Sequence, residues 1–372
     1  MKTKTELHTH LMGMLSSKEL IKLLARVDYE FPINGRGEID FESSKVRRIP
    51  ARELIDNPYI IEQLSITHGR QVSYDRLDYL YLNRNMLMAD LVAFLVAKHP
   101  NVDKDDVKYA MYGIYLNECL RELVAQGVEY VEISFSNAKI IDNAFNLVDH
   151  SISEKIKCKF LLSTDRSGVA KDFRQSSRHM LNLLNNKKAI GFDIMGSETP
   201  LSDLDLDPTS KYGLKQKLLP IIQTLNAFEN TTLRIHSGET RNSSENTEKV
   251  LSILEDVERE LKIIIPPPEI RIGHGVYFRQ SAEYLRLLKK FGCVVEINAS
   301  SNYALDNIDN YSDIPYNYYL DNGIDVVICS DGHGMYDTTK DIEDIIADSN
   351  VKEENKNRVI EFDKIIRKKG GI

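Results

Sequence analysis

The chain has 372 residues, of which 42% are hydrophobic and 28% are charged, and its formal net charge is −8. This composition supports a large folded domain and excludes a disordered or fibrous chain. The negative charge argues against a general nucleic-acid binder. The sequence contains neither an apolar run of about 20 residues nor a signal peptide, so we expect a cytoplasmic protein that binds neither membranes nor nucleic acid. Cys119, Cys158, Cys293 and Cys329 are far apart in the sequence, and we expect buried thiols.

Short β-rich runs alternate with longer amphipathic runs along the chain. The predicted strands are Lys4–His10, Val128–Ser136, Lys157–Thr164, Ala189–Met195, Thr231–Ser237, Glu269–His274, Cys293–Asn298 and Ile324–Ser330. The predicted helices are Ser16–Arg26, Ala51–Thr67, Tyr74–Lys98, Tyr109–Gln126, Lys171–Asn185, Lys215–Phe228, Thr247–Leu261, Ser281–Phe291 and Ile314–Asn322. This alternation predicts an α/β fold, a (β/α)8 TIM-type barrel with residues 1–372 as one domain and the active site at the carboxyl ends of the strands.

The connection that follows the first predicted strand is far longer than an ordinary βα loop. Residues 14–108 include the polar stretch Pro32–Arg48 and three of the helical patterns. We interpret this long helical insertion as a lid over the barrel mouth, because it leaves from a strand that carries candidate metal ligands. A surface elaboration that makes subunit contacts is the alternative, and we expect a homo-oligomer.

Side chains that can bind a metal ion lie at the ends of the strand-like runs. The segments are Glu6-Leu-His-Thr-His10, Arg234-Ile-His-Ser-Gly-Glu239, Arg271-Ile-Gly-His-Gly275, Glu296-Ile-Asn298 and Ile328-Cys-Ser-Asp331. His8 and His10, two residues apart on one strand, point the same way. With His236 and Asp331 they would hold one divalent cation and leave a position open for water, as in a mononuclear metal hydrolase. These ligands suit zinc, manganese, iron or cobalt, and we expect Zn²⁺.

Taken in order, these segments resemble the adenosine deaminase family of the metal-dependent amidohydrolases, and the resemblance covers essentially the whole chain. His8-Thr-His10 followed by Leu11 resembles the first-strand ligands of the family. Gly191-Phe-Asp-Ile-Met-Gly-Ser-Glu198 resembles its fourth-strand substrate loop. His236-Ser-Gly-Glu239 resembles its fifth-strand ligand and acid, and Arg271-Ile-Gly-His-Gly275 its sixth-strand base.

The resemblance implies hydrolytic deamination of adenine at C6, with release of ammonia. Glu239 is expected to deliver a proton to the ring nitrogen N1. His274 is expected to orient or deprotonate the attacking water, and Asp331 to bind the metal and accept a proton. Gly196 is expected to let the purine or ribose approach the backbone. A helix-start carboxylate for Glu239 and a cap in a tight turn for His274 are the structural alternatives.

Two positions depart from the family pattern. Met12 stands where members that act on free nucleosides usually have an aspartate that binds the ribose 5′-hydroxyl. The missing carboxylate removes a repulsion against phosphate, so we expect a 5′-phosphorylated substrate and favour ATP to ITP over adenosine to inosine. Gly332 stands where the family has a second aspartate that contacts the purine, which leaves base recognition to His333 or Asp337. The candidates for phosphate binding are Arg166, Arg174, Arg178 and Arg241.

The run Ser330–Asp337 is similar to the defence-associated deaminases of CRISPR and related antiviral systems, some of which are fused to a nucleotide sensor. Because a metal-bearing strand begins close to Met1, we expect either a domain that is normally fused to such a sensor or a naturally compact chain. Two rival functions remain. One is an amidohydrolase that acts on another aminated heterocycle or an amide, and the other is a catalytically weak scaffold or ligand-sensing module.

Overall fold

The computed structural model describes residues 5–66, 70–165, 179–196, 198–210, 213–228, 231–265, 270–336, 347 and 349–359. The strands are β1 (Thr5–His10), β2 (Glu30–Ile33), β3 (Arg47–Pro50), β4 (Tyr130–Phe135), β5 (Lys157–Asp165), β6 (Ala189–Met195), β7 (Thr232–Ser237), β8 (Ile270–His274), β9 (Val294–Ile297) and β10 (Asp325–Ile328). Eight of them form one sheet in the order β1-β4-β5-β6-β7-β8-β9-β10, and every neighbouring pair is parallel.

The sheet closes on itself just beyond the end of β10. The Asp331 N–H donates to the carbonyl of His8 at 2.8 Å, and the His10 N–H donates to the carbonyl of Asp331 at 3.0 Å. The predicted (β/α)8 barrel is therefore confirmed, and its eight strands lie where the sequence predicts them.

Helices cover the outside of the barrel and build the long insertion. They are α1 (Ser17–Arg26), α2 (Pro58–Glu62), α3 (Tyr74–Lys98), α4 (Lys104–Ala125), α5 (Ala138–Ala144), α6 (His150–Ser153), α7 (Asp203–Leu206), α8 (Leu214–Asn226), α9 (Asn246–Leu261), α10 (Ala282–Phe291), α11 (Ala299–Ala304), α12 (Tyr316–Asp321) and α13 (His333–Tyr336). Of the predicted helix Lys171–Asn185, only residues 179–185 lie in the described part of the chain, and they are helical.

The insertion between β1 and β4 contains one feature that the sequence did not predict. The polar stretch Pro32–Arg48 is flanked by β2 and β3, which pair antiparallel as a separate two-stranded sheet. Phe31 and Ile33 are buried in the core, but two apolar residues in alternation are too short a pattern to separate a strand from a loop. The predicted helix Ala51–Thr67 is not continuous: its described residues, 51–66, form a short 3₁₀ turn and α2.

Helix α3 is the one element of the described ranges that is long and apolar enough, by length and composition, to cross a membrane. Leu80, Leu87 and Leu91 are buried in the protein, and Tyr74 and Leu77 line the large cavity at the barrel mouth. Its apolar composition therefore matches a helix that packs against the barrel. The four cysteines are buried free thiols, as predicted.

The barrel interior beneath the mouth is ionic, where most barrels have branched apolar side chains. The fully buried guanidinium of Arg234 donates to Asp193 at 3.0 Å and to Glu296 at 3.3 Å. Arg271 donates to Glu132 and, at 3.1 Å, to Glu296. We call these five residues the interior ion network. Two of its members contact candidate metal ligands: Glu296 lies 3.1 Å from His8, and Asp193 lies 3.3 Å from His236.

Candidate active site

Three histidines and an aspartate meet at the carboxyl ends of three strands. The ligand atoms of His8, His10 and His236 lie within 4.8 Å of one another, and so do those of His8, His274 and Asp331. His10 Nε2 is 3.2 Å from Asp331 Oδ1, and His8 Nε2 is 3.7 Å from the same oxygen. The sequence-predicted ligands are thus brought together in one cluster.

The donor set fits a divalent cation. His8 is fully buried, and its Nε2 has no hydrogen-bond partner in the described part of the chain. Its Nδ1 lies 3.1 Å from Glu296 Oε2, which accepts the Nδ1 proton and leaves the Nε2 lone pair for a ligand bond. A buried polar atom without a partner is costly, and a cation bound at Nε2 would satisfy it.

Backbone conformation helps to orient the side chains of His274 and Asp331. His274 and Asp331 have φ angles of +72° and +65°, in the left-handed region that non-glycine residues seldom adopt. Such conformations persist where the surrounding structure imposes them, and they concentrate at functional sites. Gly273 precedes His274, and a Cβ there would lie 2.8 Å from Cε1 of His8. The glycine therefore leaves room for the His8 ring.

Glu239 lies on the turn that follows β7, opposite His274. Its Oε1 is 3.7 Å from His274 Nε2. The turn is held by the buried carboxylate of Glu198, which accepts the backbone N–H groups of Gly238 at 2.9 Å and Glu239 at 2.7 Å. Glu198, predicted as part of a substrate loop, therefore supports the turn that carries Glu239.

The protonation states suit acid and base chemistry. Burial, with a further contribution from the charge of Asp331, raises the pKa of Glu239 to about 7. Burial lowers the pKa of His274, which keeps the imidazole neutral near pH 7. Burial opposes ionisation of Asp331, but the hydrogen bond and charge of His10 outweigh it and hold the pKa of Asp331 below its usual range. Near pH 7 the site thus combines a glutamate that can carry a proton, a neutral imidazole and an ionised carboxylate.

A cavity of about 350 Å³ opens over this cluster. Its lining residues are His10, Leu11, Met12, Tyr74, Leu77, Asp78, Tyr81, Asn85, Ser134, Phe135, Ser136, Ser163, Met195, Gly196, His236, Glu239, His274, Asp331 and Tyr336. The predicted residues Met12 and Gly196 are among them. Five of the lining side chains come from α3, so the insertion forms one wall of the cavity; its movement as a lid stays a prediction.

Some predicted residues lie elsewhere. His333 and Gly332 are not part of the cavity lining; His333 is buried with its Nε2 3.9 Å from Glu122. A direct contact between His333 and the purine base therefore has no support in the geometry. Arg241 pairs with Asp309 at 3.1 Å on the surface. Arg166, Arg174, Arg178 and Asp337 lie outside the described residues.

Sequence reasoning missed several residues around the site. Asp193 Oδ1 is 3.3 Å from His236 Nε2, at the ligand cluster itself. Ser163 lines the cavity, and its buried hydroxyl has no hydrogen-bond partner in the described ranges. The alternation of strand β5 places Ser163 on the interior face, but a lone serine carries no chemical signature in a sequence. Tyr74 comes from the insertion, which no strand pattern could align with the site.

A parallel barrel with histidines and an aspartate gathered at its strand ends defines a metal-dependent hydrolase by architecture. Comparisons with known proteins narrow this class. The adenosine deaminase family profile matches residues 88–355. The chain therefore belongs to the adenosine deaminase family.

Individual relatives are distant in sequence. The chain is 23% identical over 367 residues to the N6-methyl-AMP deaminase-L of Xenopus laevis, which covers 92% of this chain and 82% of that protein. It also resembles the structure of Arabidopsis ADAL complexed with IMP, with a TM-score of 0.58, 17% identity and coverage of 97% and 96% of the two chains. An amidohydrolase from Burkholderia ambifaria with bound Zn has a TM-score of 0.50 and 13% identity, with 100% of this chain and 93% of that chain covered. These structural likenesses establish the fold.

Proposed function

We propose that this protein hydrolytically removes the 6-amino group of a purine 5′-nucleotide and releases ammonia. One observation carries the proposal: Glu239 and His274 face one cavity beside a His/Asp cluster that fits a divalent cation. The chain's membership of the adenosine deaminase family supports purine deamination in general.

His8, His10, His236 and Asp331 would hold the cation, and Zn²⁺ is the proposed ion. When bound, such a cation lowers the pKa of a coordinated water and so supplies a hydroxide nucleophile near neutral pH. Zinc in the Burkholderia amidohydrolase supports this choice.

The chain's own groups handle the protons. Water adds to C6 while Glu239 gives its proton to the adjacent ring nitrogen. His274, whose Nε2 has no hydrogen-bond partner in the described ranges, accepts the proton that the water loses. His274 then gives this proton to the amino nitrogen as the bond between C6 and that nitrogen breaks. The hydroxyl on C6 returns its proton to Glu239 as the carbonyl forms, which yields ammonia and the 6-oxopurine.

Met12 supports a phosphorylated substrate. It is buried in the cavity lining and brings no negative charge to the place where nucleoside-specific members have an aspartate. The relative from Xenopus is an N6-methyl-AMP deaminase, and the Arabidopsis relative binds IMP, so both names point to nucleoside monophosphates. We therefore propose AMP or N6-methyl-AMP as the first substrates to test, and keep ATP to ITP as the hypothesis that the defence-associated resemblance adds. Arg166, Arg174 and Arg178 stay candidates for phosphate binding, and a homo-oligomer stays the proposed assembly.

The test is a substrate panel on Zn²⁺-loaded protein. Adenosine, AMP, N6-methyl-AMP and ATP are followed by the ultraviolet change to the 6-oxopurine and by release of ammonia or methylamine. We expect turnover of a nucleotide above adenosine, and a loss of about 10²-fold to 10⁴-fold in kcat for Glu239→Gln. Glu283→Gln, an exposed carboxylate on α10, is the matched control and should act like wild type.

The outcomes separate the rival functions. Turnover of ATP alone would support the defence-associated hypothesis, and turnover of adenosine alone would refute the argument from Met12. Activity only on other aminated heterocycles or on amides would refute purine deamination. If the metal-loaded protein turned over no purine, other heterocycle or amide, the scaffold or ligand-sensing hypothesis would remain.

A further inference from the structure

The insertion reaches the proposed proton donor through Tyr74, the first residue of α3. Tyr74 lines the cavity together with Glu239. Its hydroxyl and the Glu239 carboxyl interact closely enough for each group to influence the pKa of the other. Tyr74 therefore approaches Glu239 from the insertion, outside the barrel strands.

A second residue, Asn307, sets the direction of the Tyr74 hydroxyl. The Asn307 side-chain N–H donates to the Tyr74 oxygen at 3.1 Å. With that lone pair occupied by a donor, the hydroxyl proton is left for the carboxyl of Glu239. Asn307 is itself buried, and its backbone N–H donates to the carbonyl of Asn302 at 2.9 Å. Asn302 in turn places its Oδ1 3.2 Å from Nδ1 of His274.

The segment before α3 is hydrogen-bonded to the end of α11 and to the loop that follows it. The Val72 N–H donates to the carbonyl of Ala304 at 2.7 Å, and the Gln71 side chain donates to the carbonyl of Ile308 at 3.3 Å. The start of α3 is therefore attached to the end of α11 and to the loop that follows it, and Asn302 of α11 contacts His274. Proton donor, proposed base and insertion are connected through residues 302–308.

From this geometry we propose that Tyr74 is a positioning residue: its hydroxyl, directed by Asn307, holds the Glu239 carboxyl so that the proton-bearing oxygen faces the substrate. Packing of α3 against the barrel then completes the positioning of the Glu239 carboxyl. The inference rests on the proposed function, because it assigns Tyr74 to the proton transfer of that reaction. Hydrogen bonds that fix a catalytic carboxyl supply orientation, and orientation is a large part of what an active site contributes to rate.

The substitution Tyr74→Phe removes the hydroxyl and keeps the ring. With AMP as substrate we expect kcat to fall about 10-fold, the usual range for one hydrogen bond to a charged or polar group, while KM changes less than about 2-fold. Tyr79→Phe is the matched control: Tyr79 is an exposed tyrosine of the same helix and contacts Arg76. It should match wild type.

A double-variant cycle tests whether Tyr74 acts through Glu239. In the Glu239→Gln background no carboxylic proton is left to position, so adding Tyr74→Phe should change kcat less than about 2-fold. Multiplicative losses in the double variant would overturn the proposal. So would a Tyr74→Phe protein with raised KM and unchanged kcat, because that result describes a cavity wall only.

A measurement without turnover separates this inference from the proposed function. Tyr74→Phe and Glu239→Ala should each speed amide hydrogen exchange in residues 71–77, by similar factors and without adding in the double variant, whereas Tyr79→Phe should not. Unchanged exchange in both single variants would overturn the Tyr74 proposal even if AMP is a substrate. A wild-type protein that turns over no purine, but shows the expected exchange pattern, would refute the proposed function and keep the Tyr74 contact.

Discussion

Glu296→Gln is the substitution that tests how the candidate metal site is built. The Glu296 carboxylate receives three N–H groups: His8 Nδ1 at 3.1 Å and Arg234 at 3.3 Å on one oxygen, and Arg271 at 3.1 Å on the other. A glutamine offers one acceptor oxygen and one NH₂ group. At least one of the three donors must then face another donor.

The structure indicates which donor would lose its acceptor. Arg271 also donates to Glu132, so the glutamine should turn its oxygen toward His8 and Arg234. His8 then keeps a hydrogen bond but loses the carboxylate charge that raises the basicity of its ring. Changes to such supporting partners typically weaken metal binding by about 10-fold to 100-fold, and because the bond itself survives we expect the lower end of that range for Zn²⁺.

The assay is a Zn²⁺ titration of metal-free protein against a chromophoric chelator, with Glu283→Gln as the control. A Kd for Zn²⁺ within about 2-fold of wild type in a folded Glu296→Gln protein would refute the argument, since the expected weakening is about 10-fold. It would mean that a neutral acceptor oxygen at this position orients the His8 ring as well as a carboxylate does.

Three further outcomes follow from the geometry. The active form of Glu239 carries a proton, and its pKa is about 7. We therefore expect kcat/KM to fall as the pH rises through about 7. The same fall in kcat/KM at high pH in the Glu239→Gln variant would contradict this assignment. Ser163→Ala should raise KM several-fold and leave kcat unchanged if its free hydroxyl binds the substrate; an unchanged KM would exclude that contact. Gly273→Ala places a Cβ 2.8 Å from His8 Cε1, so the ring must shift and both Zn²⁺ affinity and kcat should drop by about 10-fold or more, whereas wild-type values would mean that the ring can move without loss.

The barrel and its ligand cluster were predictable because both rest on local patterns. Buried strands read as short apolar runs, and polar residues that follow such runs meet at one edge of a parallel sheet. His8 and His10 needed only the two-residue period of a strand, and His236 and Asp331 needed only their position after an apolar run. The identity of the fold and the composition of the cluster were therefore accessible from residues adjacent in sequence.

The rest of the site depends on contacts between distant segments. His333 follows the candidate ligand Asp331 by only two residues, but the left-handed backbone at Asp331 and the start of α13 place it beside Glu122, outside the cavity lining. The sequence placed Glu198 in a substrate loop, but its carboxylate accepts hydrogen bonds from the backbone of Gly238 and Glu239. Local hydrophobic periodicity could predict neither outcome. The backbone conformation at Asp331 decides the position of His333, and the side-chain conformation of Glu198 decides what its carboxylate contacts.

The interior ion network explains why this barrel keeps charges where others have apolar side chains. Buried ion pairs contribute little net stability, because desolvation offsets their attraction. Here they support the cluster above them: Glu296 contacts His8, Asp193 contacts His236, and Arg234 bridges the two carboxylates. A barrel refilled with apolar residues could be as stable, but His8 and His236 would lose the carboxylates beside them. Because the network contacts the candidate metal ligands, its loss should lower Zn²⁺ affinity before it lowers stability.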